Sequence, residues 1–158
     1  MKSIIFFLTI FFLVATSLAA GPTDSTPPPK EKCSVCGMFV TMFADRNVGI
    51  QFKDGTQAVF CGAKCMFKYY LNMKKYNPSK RKEDVTAISV KDNNSAVSID
   101  ALGAFFVIWS DVYGPMGHEP IPFEKEAEAK KFLQEHKGKK ILKFKDINLN
   151  LIKSLDNP

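Results

Sequence analysis

Val48-Gly49-Ile50-Gln51-Phe52-Lys53-Asp54-Gly55-Thr56-Gln57-Ala58-Val59-Phe60 sets two short runs of strand-forming residues on either side of an Asp-Gly pair. Asp-Gly between such runs is a strong tight-turn signal, because glycine accepts the positive φ that hairpin turns demand. The stretch therefore predicts a β-hairpin. Ala63 to Tyr76 follows, where Met66, Phe67, Tyr69, Tyr70, Leu71 and Met73 make a broad apolar face on a helix that stops before Asn77-Pro78. Val85 to Val90 and Ser95 to Ile99 read as strands around Asp92-Asn93-Asn94. The order is strand, strand, helix, strand.

The second half repeats the plan at low sequence identity. Ala104-Phe105-Phe106-Val107-Ile108-Trp109 is an unbroken apolar run of the kind a buried strand carries, and Gly114 to Pro120 must be a loop. Ile121-Pro122-Phe123 begins a short strand, Glu124 to His136 is an acid-first helix closed by Gly138, and Lys140 to Phe144 is another strand. Ile147 to Leu155 reads as a short amphipathic helix. The expected class is α+β, with two tandem ββαβ units, about 33–100 and 101–158, packed as one domain.

Ahead of that domain, Lys2, the apolar stretch Ile4 to Val14 and the small-residue segment Ala15 to Ala20 have the layout of a secretion signal over residues 1–20. The apolar stretch is short for a bilayer span, so membrane association would need an uncleaved N-terminal segment. Residues 21–32, with Pro22, Pro27, Pro28 and Pro29, have little to bury and read as a proline-rich tether. The chain is thus expected to be exported. Net charge is +6 over 158 residues, with the lysines in interrupted patches such as Lys80-Arg81-Lys82. No aromatic residues interleave them on a base-reading surface, so nucleic acid is not an expected partner.

Chemistry concentrates in two elements, Cys33-Ser34-Val35-Cys36-Gly37-Met38 and Gly114-Pro115-Met116-Gly117-His118. Thiols, thioethers and an imidazole suit soft Cu(I) and are rejected by hard ions such as Mg²⁺ and Ca²⁺. Cys36 and Met38 are candidate ligands across a glycine that allows both sulfurs to turn toward one ion. Met116, framed by Gly-Pro and Gly, is a third candidate, and His118 is either a fourth ligand or a group supporting one. Cys61 and Cys65 add a C-x3-C pair to the C-x2-C of Cys33 and Cys36, which together suit a Cys₄ zinc site or, in an oxidising compartment, disulfides. A thioredoxin-like enzyme is disfavoured, because Cys33 follows a proline tether and Gly37 interrupts any helix. No enzymatic activity is expected.

At these residues the chain resembles the NosL family of accessory proteins for the copper sites of nitrous oxide reductase. The resemblance rests on Cys36-Gly37-Met38, on the hairpin ending in Phe60-Cys61, and above all on Ser110-Asp111-Val112-Tyr113-Gly114-Pro115-Met116-Gly117-His118-Glu119 with Pro122-Phe123. It implies paired ββαβ units similar to TRASH metal-binding modules and a Cu(I) metallochaperone of the periplasm or cell envelope. Such a carrier has an upstream copper donor and a copper-acceptor enzyme, with nitrous oxide reductase the suspected acceptor. Gly21 stands where many family members carry a lipidated cysteine, and Cys33, Cys61 and Cys65 go beyond the family's Cys-Gly-Met core. The alternative is a Cys₄ zinc-stabilised interaction module of the cell envelope.

Overall fold

Asp54 closes the first hairpin by accepting hydrogen bonds from the backbone N–H of Thr56 at 3.2 Å and from its hydroxyl at 2.6 Å, while Gly55 turns at φ +80°. The turn joins β1 (Val48–Phe52) to β2 (Gln57–Phe60), with Val48 opposite Phe60 and Ile50 opposite Ala58. The computed structural model describes residues 31–156, so the readings of a secretion signal and of most of the tether lie outside the described residues. Glu31 and Lys32 are already tied to the domain, since Val40 N donates to Glu31 O and Lys32 bridges to Phe39.

After the hairpin come α1 (Ala63–Leu71) and α2 (Met73–Tyr76). The sequence reads as one helix here, but Asn72 leaves helical geometry at φ −137°. Asparagine favours local alternatives to the helix, and the break accompanies burial of Met73. Next, β3 (Val85–Lys91) pairs with the free edge of β1, and β4 (Ser98–Asp100) pairs with β3, giving an antiparallel sheet in the order β2-β1-β3-β4.

The second unit runs β5 (Phe105–Ile108), β6 (Tyr113–Gly114), β7 (Gly117–His118), β8 (Ile121–Phe123), α3 (Glu126–Glu135) and β9 (Lys140–Lys143), and α4 (Leu149–Ser154) ends the chain's helices. Its main sheet has the order β8-β5-β9. That matches β2-β1-β3: in each half the first strand is central, flanked by its hairpin partner and by the strand after the helix. The tandem ββαβ expectation holds. The Gly114 to Pro120 loop is more ordered than its sequence suggests, because β6 and β7 pair as a small hairpin with Pro115 and Met116 at its tip.

Strand β5 explains its own composition. Phe106 and Ile108 enter the main core, whereas Val107, with Phe105 at its margin, enters a second cluster made with Ile121, Phe123, Ala129 and Phe132. Successive side chains of a strand face opposite ways, so a strand buried on both faces must be apolar throughout. The main core spans both halves. Phe67 of α1 meets Phe106 edge-on at 5.2 Å between ring centroids and lies against Phe144 at 4.9 Å. Each such ring contributes roughly 1.5–3 kcal/mol by burial.

Two buried polar groups fix how the halves meet. Asp92, 3 % exposed, accepts from the backbone N–H of Asn94, Ser95 and Glu124 and from the Ser95 hydroxyl at 2.8–3.1 Å. It therefore closes the β3–β4 turn and ties that turn to the approach of α3. Burial acts to raise its carboxyl, but these donors outweigh it and hold Asp92 below the usual carboxylate range. Lys64 of α1 is buried as well, with Nζ 3.0 Å from the Asp156 carboxylate and donating to Leu155 O at 3.4 Å at the end of α4.

Candidate metal centre

The Cys33–Met38 loop is stitched to itself and to the first hairpin. Cys33 N donates to Met38 O at 2.8 Å, Gly37 N donates to Cys33 O at 3.0 Å, and Ser34 N donates to Val59 O of β2 at 2.9 Å. Gly37 sits at φ +76°, a conformation costly for any residue with a Cβ. Cys61 directly follows β2, and Cys65 lies one helical turn later in α1.

These constraints bring all four cysteines together. Their Sγ atoms lie within 4.8 Å of one another, with Cys36 3.6 Å from Cys61 and Cys61 3.7 Å from Cys65. A disulfide needs about 2.05 Å, and all four thiols are free. Sulfurs around one tetrahedral ion at about 2.3 Å stand about 3.8 Å apart, so the cluster already has the dimensions of a metal cage. Cys33, Cys61 and Cys65 are buried, while Cys36 is half-buried.

Charge in the cluster is uneven. Hydrogen bonding with Cys61 and Cys65 holds Cys33 far below the ordinary thiol value despite its burial. The same hydrogen bonds to Cys33 push Cys61 and Cys65 far above it, with burial and the neighbouring negative charge adding to the effect. A bound cation would favour the thiolate form of each ligand.

Met38 and Met116 are half-buried and pack against the cluster of core residues that contains Cys33, Cys61 and Cys65. Met116 is presented at the tip of the β6–β7 hairpin, where Gly117 takes φ +82°. The His118 ring lies 4.6 Å from the Tyr113 ring and 5.5 Å from the Trp109 ring between centroids. Its Nδ1 is buried without a hydrogen-bond partner among the described residues. A buried ring nitrogen left unpaired carries an energetic cost that a bound ion would remove. His136, in contrast, pairs with Asp111 at 3.1 Å and has no part in this region.

Two residues of the site escape a reading by residue type. Trp109 adopts φ +62°, a strained angle for a bulky side chain, immediately beside His118. Glu119 is 4 % exposed and accepts from Lys64 N at 3.3 Å, while its Oε1 has no hydrogen-bond partner among the described residues. Burial pushes its carboxyl up to about 7, against the opposing influence of the Lys64 amide and of the Lys64 and Arg46 charges. The only sequence signal for Glu119 is its place directly after the Gly-Pro-Met-Gly-His element.

A four-thiol cage on paired ββαβ units, with Met116 of the hairpin packed on the same core, is an arrangement that could hold a soft metal ion. The NosL family profile matches residues 24–152, and the chain belongs to that family. It is 28 % identical over 130 residues to the copper-binding lipoprotein NosL of Stutzerimonas stutzeri, an alignment that covers 77 % of this chain and 64 % of that protein. The chain thus spans less than two thirds of that relative's length. The crystal structure of the copper chaperone NosL from Shewanella denitrificans has the same fold, with a TM-score of 0.66 at 24 % identity over 78 % of this chain and 93 % of that one.

Proposed function

We propose that this protein is an exported Cu(I) carrier that delivers copper to a cuproenzyme during its maturation. The observation that carries the proposal is the convergence of four sulfur atoms within 4.8 Å in a member of a family with copper-binding relatives. The donor set supports copper, since thiolate and thioether sulfur together favour soft Cu(I). Met38, Met116 and His118 supply neutral soft ligands, the chemistry that lets Cu(I) be exchanged rather than locked in place.

Transfer needs no bond-making beyond ligand exchange. Cys36, the half-buried thiol, is the ligand that an incoming thiolate or imidazole can replace first. The protein receives copper from an upstream donor and hands it to an acceptor, which the family resemblance suggests is nitrous oxide reductase, in the periplasm or cell envelope. No chemical transformation is assigned to it.

A second reading has its own support. The near-tetrahedral sulfur spacing also suits a structural Zn²⁺, which would make this a zinc-stabilised interaction module. Metal competition separates the two. Protein equilibrated with equal Cu(I) and Zn²⁺ under reducing conditions should retain one copper and release zinc. Retention of zinc with no bound copper would overturn the carrier reading.

A further inference from the structure

The thiol cage belongs to the first half of the chain and the Met116–His118 hairpin to the second, so one ion can use both only if something holds them together. Glu119 stands at that junction. Its carboxylate lies against Gly62, the residue between Cys61 and α1, where a Cβ would sit 2.6 Å from both oxygens. It lies equally against Gly114 of β6, where a Cβ would sit 2.5 Å from the Glu119 Cγ and 2.6 Å from Cδ. Two glycines, one in each half, therefore make the slot that the carboxylate occupies.

The slot is electrostatically suited to its occupant. α1 begins at Ala63, and Gly62 caps it without any side chain. The Lys64 N–H, one of the unpaired donors of the first turn, points to the Glu119 Oε2 at 3.3 Å. Arg46 reaches the other strand residue of the hairpin, donating to Tyr113 O at 3.4 Å. An apolar side chain could fill the volume at lower desolvation cost, so a buried carboxylate here is best explained by the directional contact it makes.

We propose that Glu119 is a positioning residue, a latch that docks the Met116–His118 hairpin on the Cys61–Cys65 turn so that thiols and neutral soft ligands act on one copper ion as a single site. The latch rests on the carrier reading for its purpose but not for its geometry. Without it, the thiol cage stays assembled by the Cys33–Met38 loop and α1, while the hairpin is released and its ligands no longer contribute.

The test pairs two measurements on the full chain. In metal-free protein, amide hydrogen exchange compares wild type with Glu119→Ala, Glu119→Gln and Gly114→Ala. Glu119→Ala and Gly114→Ala should expose the amides of Tyr113 to His118 while β1 and α1 stay protected, and Glu119→Gln, which keeps the acceptor for Lys64 N, should resemble wild type. Unchanged hairpin protection in both disrupting variants overturns the latch.

The second measurement is a cycle of Cu(I) affinities by chelator competition, with Cd²⁺–thiolate absorbance reporting on the cage alone. Met116→Leu should weaken Cu(I) binding by about tenfold in wild type and by less than about twofold in the Glu119→Ala background. Cd²⁺ binding should be preserved in every variant. An equal Met116→Leu loss in both backgrounds overturns the coupling. Wild-type protein that binds no Cu(I) would defeat the carrier reading instead, with the exchange comparison still deciding the latch.

Discussion

Replacing Asp92 with alanine should loosen the joint between the two ββαβ units, because one buried carboxylate serves both. It accepts four hydrogen bonds, from Asn94 N, Ser95 N, Ser95 Oγ and Glu124 N, and only the last reaches the second unit. Asn94 and Ser95 are exposed, so water can replace part of what they lose. Hydrogen bonds to a charged acceptor contribute about 1.5–3 kcal/mol each, and two bonds lost outright, less the recovered desolvation of the carboxylate, amount to about 3 kcal/mol. For a domain of this size that is a fall in Tm of roughly 10 °C.

The loss should depend on pH in a defined direction. The folded-state carboxyl lies below its ordinary value of 3.8, so its stabilisation is fully present above about pH 4 and is lost as pH falls through the folded value. Thermal and urea unfolding of wild type and Asp92→Ala from pH 3 to 7 should give curves about 3 kcal/mol apart at neutral pH that converge in acid. A neutral-pH difference under about 0.5 kcal/mol, or a gap that does not narrow below pH 4, would show that the turn and α3 are held by other contacts.

Gly37→Ala should destabilise the Cys33–Met38 loop by about 1 kcal/mol through strain alone, since φ is +76° and no atom lies within 4 Å of the added Cβ; a Tm change with unchanged metal stoichiometry is the expected result. Cys36→Ser and Cys65→Ser should each reduce Cu(I) affinity at least tenfold in chelator competition, because both sulfurs belong to the same cage; a variant that binds like wild type removes its sulfur from the site. Metal loading should release protons from the thiols that the cluster keeps un-ionised, so apparent affinity rises with pH between 6 and 8, and weakly buffered titration should record acidification with each equivalent bound.

Much of the fold is legible because its signals are local. Asp54-Gly55 specifies a turn by its own chemistry, the unbroken run Phe105 to Ile108 specifies a strand with two buried faces, and the repeated strand–strand–helix–strand order specifies the duplicated sheet. The helix break at Asn72 is less legible, since it depends on where Met73 finds its packing. At the site, the C-x2-C and C-x3-C pairs reveal the thiols, and the Gly-Pro-Met-Gly-His element reveals the hairpin, because these residue types carry their chemistry with them. Glu119, Lys64 and Asp92 do not announce themselves. A Glu, a Lys or an Asp is ordinarily solvated, and only the approach of distant segments makes these three buried and partnered.

Copper K-edge X-ray absorption on the full chain, loaded with one equivalent of Cu(I) under reducing conditions, tests the central claim most directly. The four-thiol cage predicts a first shell dominated by sulfur at about 2.3 Å, and that shell should lose sulfur when Cys36 or Cys65 is replaced by serine. A first shell of nitrogen and oxygen alone, or a sulfur shell unaffected by either replacement, would contradict the assignment of copper to this cluster.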